Sequence, residues 1–518
     1  MRSIITKKVA VFTLVVGLIL VAGHAVYTAD VYAGSSPDWP QWGRSAQHNG
    51  STHAVGQSPN SQLGKLLVDP FVAQEQAEAF GGYLLIHYQV PLVDGNRVFI
   101  ESKSGTYISC DPPGSGQPYP CGPDAWNNEI WNEQAYAWEN GSLVQTWNFQ
   151  SDWKPEPNTD VGGQNPDGLF GWEPVFHAAL WNGYVFVPGF GGTIYKVNEA
   201  NGAEVAQYNP NGTTIDPNSF VSGPLTIDQA GNVYYNVLAL DPTNPWSVNI
   251  RDAFLVKVTA SGSVSEVSYS VLVPNQPHRC FGLYPCGSQR PGVNVAPAVS
   301  NDGSTIYTAS VAHFFSTYSY MVAANSDLTP KWQTSLARIV KNSGPGEILD
   351  EASSSPVVTP DSNILFGVSE SSDGGAGYML KFNNRGKHLA SYSWGWDVTP
   401  AVYQHDGTYS VITKDNHYKG PYYITQLNAN LGVEWRYPSP TNFEWCVNAP
   451  AVDANGTVYA DSEDGNVYVI NQGGTLKGSL FLQQAVGAAY TPTALGNDGK
   501  IYTLNDGNMF VVGDSTAK

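Results

Sequence analysis

Apolar and polar positions alternate along this chain in a phrase that returns eight times. Each copy has a short apolar strand with a proline, a turn of Gly, Asn or Asp, and a second strand ending near an aromatic residue. The clearest copy runs from Ala449 through a turn at 453–456 to Tyr459. Alternation predicts half-buried strands, and Asn-Gly or Asp-Gly turns predict tight hairpins between them. The copies centre on Pro91, Pro174, Pro224, Pro297, Pro356, Pro400, Pro450 and Pro492.

The spacing of these copies predicts the fold. Units of four short strands that recur roughly every 45–50 residues are typical of a β-propeller. In blade six, for example, the pattern predicts strands at 396–403, 408–413, 422–427 and 433–437. The sequence therefore predicts an all-β protein, an eight-bladed β-propeller of four-stranded antiparallel blades. Seven blades are the alternative, because the interval from Pro224 to Pro297 is irregular.

The end of the chain predicts how the ring closes. The last copy offers three strands, at 488–494, 500–504 and 508–512, before the sequence ends. A three-stranded blade would leave an exposed edge, which proteins avoid. The strand-like run 63–72 belongs to no other blade. We therefore expect this N-terminal run to supply the missing outer strand of blade eight.

The first residues are typical of an export signal. Arg2, Lys7 and Lys8 precede an apolar run at 9–22, which is too short for a comfortable membrane span. Small residues then offer cleavage sites up to Ala33. We expect a signal peptide and short leader at 1–33 and a single propeller domain at 34–518. The mature protein is then a secreted or periplasmic monomer without membrane insertion, and an uncleaved anchor is the alternative.

Charge and histidine spacing exclude several classes of function. The chain has 25 Lys and Arg against 44 Asp and Glu, a formal net charge of −19. An acidic surface repels phosphate backbones, so no nucleic-acid partner is expected. The ten His residues show no spacing typical of a zinc site.

The five cysteines fit an oxidising compartment. Cys110 and Cys121 flank a loop rich in Pro and Gly, and Cys280 and Cys286 flank a second short loop. Each pair predicts a local disulfide. Cys446 is left over within a predicted strand and is interpreted as a buried thiol.

The first strand of each propeller blade lines the central channel, so residues just before each repeat proline are expected at the axis. Among these, Glu173, Asp397 and Asn448 carry the oxygen ligands that Ca²⁺ prefers. The carboxylate of Asp397 or Glu173 is also a candidate catalytic base for an alcohol. Trp396 and Trp445 are candidates to stack on a flat cofactor or a sugar ring. A water-filled polar channel without chemistry is the alternative. The full set is His87, Gln89, Glu173, Ser222, Asn294, Ser354, Trp396, Asp397, Trp445, Asn448 and Tyr490.

The end-of-blade phrase from Gln426 to Trp435 resembles the repeat of the pyrroloquinoline quinone (PQQ) type of propeller. In that family a turn Gly precedes a Trp that packs between blades. Trp147 and Trp332 hold the same place in blades one and four, with Tyr208 as the counterpart in blade two. The opening at 38–44 is similar to the start of many secreted members. The resemblance covers roughly residues 38–513 and implies the fold more than an activity.

The resemblance implies two kinds of function. Quinoprotein dehydrogenases of the family hold PQQ and usually Ca²⁺ on the ring axis, whereas non-catalytic members use the ring as a binding platform. The adjacent Cys-Cys pair and the His-Asp-x-Trp-Asp phrase of the dehydrogenases do not occur in this sequence. We therefore expect a binding or scaffold module for a protein or a glycan. The alternative is a PQQ- and calcium-dependent alcohol or sugar dehydrogenase, with Glu173, Asn294 and Asp397 near the ion and the quinone.

Overall fold

The computed structural model describes residues 37–78, 84–107, 128–156, 172–173, 175–243, 248–280, 284–313, 316–341, 343–349, 354–370, 377–394, 399–417, 419–445, 449–484, 488–490 and 492–516. These residues form an eight-bladed β-propeller of four-stranded antiparallel blades, as the sequence predicted. The interval from Pro224 to Pro297 is a complete blade, so the seven-blade alternative is wrong. The predicted signal peptide lies outside the described residues. Within the described ranges no helix has the length and apolar character needed to cross a bilayer.

Four strands run outward from the axis in each blade. Blade one comprises β3 (Leu92–Asp94), β4 (Arg97–Gly105), β5 (Glu129–Glu139) and β6 (Ser142–Gln150), and blade two comprises β8 (Ala179–Trp181), β9 (Tyr184–Pro188), β10 (Ile194–Asn198) and β11 (Glu204–Tyr208). Blade three comprises β12 (Ser219–Val221) with β13 (Thr226–Ile227), then β14 (Val233–Ala239), β15 (Asp252–Val258) and β16 (Val264–Ser268). Blade four comprises β19 (Gln289–Pro291) with β20 (Ala298–Val299), then β21 (Thr305–Ala312), β22 (Ser319–Asn325) and β23 (Pro330–Ser335).

The last four blades follow the same plan. They comprise β24 (Val357–Val358), β25 (Ile364–Ser369), β26 (Gly377–Phe382), β27 (His388–Trp394); β28 (Ala401–His405), β29 (Thr408–Asn416), β30 (Tyr422–Asn428), β31 (Val433–Pro438); β32 (Ala451–Val452), β33 (Val458–Asp461), β34 (Asn466–Asn471), β35 (Thr475–Phe481); and β37 (Thr493–Leu495), β38 (Ile501–Asn505), β39 (Asn508–Gly513) with β1 (Ser61–Leu67). Outside the blades lie α1 (Val72–Glu78), β2 (Leu84–His87), β7 (Trp172–Glu173), a 3₁₀ turn (Phe190–Gly192), α2 (Tyr269–Leu272), β17 (Arg279–Cys280), β18 (Tyr284–Pro285) and β36 (Ala488–Tyr490).

The two faces of the ring carry different kinds of connection. The hairpins from first to second and from third to fourth strand are short, such as Asn140-Gly141 between β5 and β6, where both residues have positive φ. Links from second to third strand and from blade to blade include the long stretches 106–128 and 151–178. Because strands alternate in direction, the short hairpins share one face, here called the turn face. The long links share the opposite one, here called the connection face.

The outer strand of blade eight comes from the N-terminus. β1 pairs with β39 in antiparallel register from Ser61 opposite Gly513 to Leu67 opposite Asn508. This confirms the predicted closure, but the strand ends at Leu67 rather than at 72. There the backbone N–H groups of Val68 and Asp69 both donate to Gly507, and Asp69 Oδ1 accepts from Phe71 N at 2.9 Å. The chain therefore turns away from the sheet and enters α1.

A second N-terminal stretch, the inner segment (residues 38–57), runs around the axis at the turn face. Trp39 exchanges two backbone hydrogen bonds of 3.0 Å with Val93 of blade one, and Pro40 O accepts from Leu180 N of blade two at 2.7 Å. Gln41 uses its side-chain amide to bond both backbone groups of Ile227. Continuing around the ring, the segment bonds Val93, Leu180, Ile227, Val299, Val358, Val402, Val452 and Gly499, one residue from each blade.

The middle of the inner segment is buried. His48 is fully buried, with Nδ1 2.8 Å from Pro356 O in blade five and Nε2 3.2 Å from Thr226 Oγ1 in blade three. Burial lowers the pKa of His48 to about 4, so the ring is neutral at physiological pH. Trp42 meets His177 edge-on with ring centroids 5.7 Å apart. The inner segment therefore ties blades together at the turn-face end of the axis.

Neighbouring blades are joined by a repeated aromatic contact. Trp147 of blade one lies on the turn glycine Gly202 of blade two, and its Nε1 donates to Glu199 O at 2.9 Å. A Cβ placed on Gly202 would lie 2.9 Å from the indole, so no larger residue fits there without movement. The packing expected from the resemblance is confirmed in three further pairs: Tyr208 on Gly262, Trp332 on Gly386 and Trp435 on Gly474.

Candidate functional site at the axial mouth

Three short parallel strands meet beside the axis at the connection face. β2 lies in the middle, with β36 on one side and β7 on the other. His87 is opposite Tyr490, and Ile86 is opposite Glu173. The backbones of three residues predicted at the axis, from blades one, two and eight, are therefore brought together. We call this place the axial mouth.

Gln89, which follows β2, is the centre of a buried polar network. Its backbone N–H donates to Glu101 Oε1 at 2.7 Å, and its side-chain Nε2 donates to Glu133 Oε1 at 3.0 Å. Its Oε1 accepts from Ala178 N of blade two at 2.8 Å. Glu101 and Glu133 are opposite each other on β4 and β5. Two carboxyl groups are therefore held side by side in the interior of blade one.

The Glu133 carboxyl is fully buried. Desolvation raises its pKa to about 8, and the hydrogen bond from Gln89 only partly opposes this shift. Its second oxygen, Oε2, has no hydrogen-bond partner within the described part of the chain. Glu133 is therefore mostly protonated at neutral pH.

His177 continues the network into blade two. Its Nε2 accepts from Val90 N at 3.1 Å, so Nδ1 carries the proton and donates to Ala178 O at 2.7 Å. Desolvation lowers the pKa of this fully buried imidazole to about 3. His177 thus acts as a neutral link between the backbones of two blades.

A second buried cluster fastens α1 to blade one. Lys103 Nζ lies 3.0 Å from Asp69 Oδ2, 3.0 Å from Glu75 Oε1 and 3.5 Å from Glu129 Oε2, all from buried side chains. The Lys103 ammonium also lies 5.8 Å from the centre of the Trp131 ring. Burial, followed by the charge of Asp69, raises the pKa of Glu75 well above its usual range, although Lys103 opposes the shift.

Asn294 and Ser222, both predicted at the axis, are in contact. Asn294 N donates to Ser222 O at 2.8 Å, and Asn294 Oδ1 accepts from Val175 N of blade two at 2.8 Å. Asn294 has φ +67°, a conformation that Asn tolerates better than most residues. Ser354 Oγ accepts from Gly367 N at 3.1 Å. Asn294 therefore links neighbouring blades, whereas the Ser354 bond stays within blade five.

Trp445 lies in the core rather than at the mouth. It is fully buried and meets Tyr468 edge-on at 5.2 Å, between blades six and seven. The Asn416 amide clamps its backbone with bonds to Trp445 N (3.2 Å) and Trp445 O (3.0 Å). Trp396, Asp397 and Asn448 lie outside the described residues, and for Glu173 only the backbone is described.

The predicted disulfides fall into two groups. Cys280 and Cys286 are bonded, and both are buried against Ala312, which confirms this pair. The bond closes the small hairpin of β17 and β18 on the connection face. Cys110 and Cys121 lie outside the described residues, so their pairing stays a prediction.

Sequence reasoning did not find Glu101, Glu133 or Lys103. The available signal was weak: Glu101, Lys103, Glu129 and Glu133 share the odd-numbered positions of β4 and β5 with apolar residues such as Phe99, Trp131 and Ala135. Opposite positions of paired strands share a face, so Glu101 with Glu133 and Lys103 with Trp131 form one row. Such a row inside a propeller blade indicates a buried polar network.

Comparison with known proteins supports the fold. No family model and no curated protein sequence matches the chain. A europium-containing methanol dehydrogenase is similar in structure, with a TM-score of 0.53 and 12% identity over 90% of this chain and 89% of that protein. A quinohemoprotein alcohol dehydrogenase from Comamonas testosteroni gives a TM-score of 0.55 and 11% identity, over 94% and 82%. BamB from Moraxella catarrhalis, at 12% identity over 81% and 99%, has a TM-score of 0.36, too low to support an argument. At these identities the comparisons show a shared β-propeller fold and leave the chemistry of this chain to its own residues.

Proposed function

We propose that this protein is an exported binding module that holds a protein or a glycan on its connection face. The observation that carries this proposal is the difference between the two faces. The inner segment contacts all eight blades at the turn face, where the hairpins are short. The long links leave on the opposite face. Binding groups are commonly placed on loops that a rigid scaffold positions, and this ring provides such a scaffold.

Exposed aromatic side chains support the choice of face. Among the described residues, the large aromatics with at least a third of their surface exposed are Tyr284 (63%), Phe443 (36%) and Phe481 (61%). Tyr284 lies on the link from blade three to blade four, and Phe443 on the link from blade six to blade seven. Phe481 ends β35 opposite Asn466, at the connection face. Exposed aromatic rings are the side chains that most often anchor protein and sugar ligands.

Described side chains do not support the dehydrogenase alternative. Of the residues predicted to hold quinone or calcium, only Asn294 and Trp445 have described side chains, and both make internal contacts. Among the described residues no group of three His, Cys, Asp or Glu side chains is arranged to hold a metal ion. The dehydrogenase alternative rests on Glu173 and Asp397. It is tested by mixing the protein with PQQ and Ca²⁺ and measuring the absorbance of bound quinone and the reduction of a dye when alcohol is added.

The binding proposal is tested by ligand capture. Purified protein is applied to a glycan array and used as bait for proteins from the exporting cell's surroundings. The change Phe443→Ala or Phe481→Ala should weaken capture, whereas Leu389→Ala, on an outer strand with 46% exposure, should leave it unchanged. Capture that depends on Leu389 and not on the two Phe residues would place the ligand on the rim of the ring and contradict the proposal.

A further inference from the structure

We propose that the blade-four sector of the connection face binds an anionic polysaccharide, a sugar polymer that carries carboxylate or sulfate groups. This inference rests on the proposed function and names its ligand class. The sector consists of the described residues of the link between blades three and four (269–280 and 284–288, with α2, β17 and β18) and of the stretch that follows β23 (336–341 and 343–346). It is defined by four exposed basic side chains and one exposed aromatic ring: His278, Arg279, Arg338, Lys341 and Tyr284.

The charge of this sector differs from that of the whole chain. The protein has 44 acidic and 25 basic residues, yet the sequence has no Asp or Glu from 267 to 301 or from 328 to 346. Both stretches nevertheless contain exposed Arg or Lys residues. Charges act over about 8 Å at physiological salt, so a ligand at this sector experiences the local positive charge rather than the net charge of −19. The sector is therefore a basic island on an acidic protein.

Both stretches lie against blade four at its connection-face end. α2 packs on β22 and β23, so the link from blade three lies on the outer strands of blade four. Residues 336–341 continue directly from the end of β23. Ile339 and Val340 of this stretch pack against the hydrophobic cluster between blades four and five. The basic side chains of both stretches therefore belong to one region of the connection face.

No acidic side chain in the described part of the chain pairs with the Arg and Lys residues of this sector. Arg279, Arg338 and Lys341 form no ion pair with the described residues, unlike Arg251, which is paired with Asp216. Two described carboxylates beside the second stretch, Glu347 and Glu370, bond hydroxyl and backbone groups instead. The Glu347 carboxylate accepts hydrogen bonds from the hydroxyls of Ser316 and Thr317, each at 3.1 Å. Glu370 accepts from Gly344 N and from Tyr378 Oη. The charge of the sector is thus available to a ligand.

The hairpin presents its groups on a fixed support. Arg279 is paired with Pro285, and Cys280 with Tyr284, between β17 and β18. The disulfide closes this short loop, and both of its cysteines are buried. A pre-ordered loop loses less conformational entropy when a ligand binds. Arg279 and Tyr284, whose ring is 63% exposed, therefore stand on one disulfide-closed pair of strands.

The combination of groups favours a sugar polymer. A guanidinium fork binds carboxylate or sulfate through two parallel hydrogen bonds, and an exposed aromatic ring packs against the apolar face of a sugar. An extended polymer places several anionic groups on one patch at once. A compact acidic protein would cover a wider area than the sector and would bring its negative charge within screening distance of the acidic surface around it. We therefore favour an anionic polysaccharide over an acidic protein as the occupant.

The test compares the probes polygalacturonate, dextran sulfate, neutral dextran and poly-glutamate in binding measurements at low and physiological salt. At least one of the two anionic polysaccharides should bind more tightly than neutral dextran and weaken as salt is raised. The triple change Arg279→Gln, Arg338→Gln, Lys341→Gln should lower that affinity on the order of tenfold, since each exposed charge contact contributes up to about 1 kcal/mol. Tyr284→Ala alone should also weaken binding, whereas it would have little effect on a purely ionic contact.

A matched control removes charge elsewhere. Arg385 and Lys387 are exposed on a turn-face hairpin of blade five. Their double change to Gln should leave binding intact, and all variants should melt at the wild-type temperature because every altered side chain is exposed.

The possible failures are distinguishable. Equal loss in the control, or unchanged affinity in the triple variant, overturns the inference. Poly-glutamate bound as tightly as the polysaccharides would overturn it in favour of an acidic protein. A neutral glycan or protein captured through Phe443 and Phe481, with the triple variant unaffected, would refute this ligand class while the proposed function stood.

Discussion

Replacing the buried Glu133 by Gln should stabilise the protein at neutral pH. The folded protein binds this proton with a pKa of about 8, against a usual value of 4.5. Between these two values the folded state holds one proton more than the unfolded chain, so stability falls by about 1.4 kcal/mol for each pH unit of increase. From pH 4.5 to pH 7 the loss amounts to about 3 kcal/mol. Gln stays neutral and keeps an oxygen for the Gln89 amide, so the variant escapes this loss.

The assay is denaturant unfolding at several pH values from 5 to 8. The difference in unfolding free energy between Glu133→Gln and wild type should be small at pH 5 and should grow in favour of the variant up to pH 8. Glu139→Gln, at the exposed end of the same strand, is the control and should show no such trend. A difference that is constant with pH, or a variant less stable than wild type at pH 8, would refute the assignment of a neutral buried Glu133.

Three further predictions concern the ring. In denaturant unfolding, Gly202→Ala should destabilise the protein by roughly 1–3 kcal/mol more than Gly183→Ala. Both glycines have positive φ, but only at Gly202 would a Cβ lie 2.9 Å from an indole ring. Equal losses of unfolding free energy would contradict the inter-blade packing. Deleting β1 should lower the melting temperature sharply, since β39 then becomes an open edge, and unchanged melting would disprove the closure. His48 has a folded pKa of about 4 against 6.5, so stability should decrease as pH falls from 6.5 to 4. In pH-dependent melting, His48→Gln should reduce this loss and the exposed His53→Gln should not, and identical profiles would refute the buried neutral imidazole.

Much of the fold was predictable because its signals are local. In blade six the strand at 408–413 was expected and Thr408–Asn416 was found, and 433–437 became Val433–Pro438. Tight turns and alternation report on neighbours along the chain, and a propeller is built from such neighbours. The exception is the first strand of a blade. The prediction 488–494 is divided into β36, which pairs with β2, and β37, which stays in blade eight. Near the axis, the chain leaves one sheet for another without a change in composition.

The inner segment could not be predicted in the same way. It has no alternation, and its bonds to the eight blades are made mostly by backbone groups, which every sequence carries. The candidate site was predicted in part for a related reason. Gln89, Ser222 and Asn294 were chosen by their position before each repeat proline, and that position could not tell which of their polar groups bond within the protein. Trp445 shows most clearly what position in the sequence could not predict, because its side chain is buried in the core between blades six and seven instead of lining the channel.

Closure of this ring depends twice on the N-terminus. β1 pairs with β39, so the outer strand of the last blade cannot pair until nearly the whole chain has been synthesised and folded. The inner segment needs all eight first strands before its hydrogen bonds can form. Contacts between residues so distant in sequence lose loop-closure entropy before they stabilise the fold. Folding is therefore slow, and strand edges stay exposed until the contacts form. Gly499 illustrates how tightly the two ends finally fit, since a Cβ there would lie 2.4 Å from Val55 O in the inner segment. The turn face therefore tolerates little change. If the proposed function is correct, sequence variation that alters the ligand is best accommodated on the connection face, where the links between strands are long.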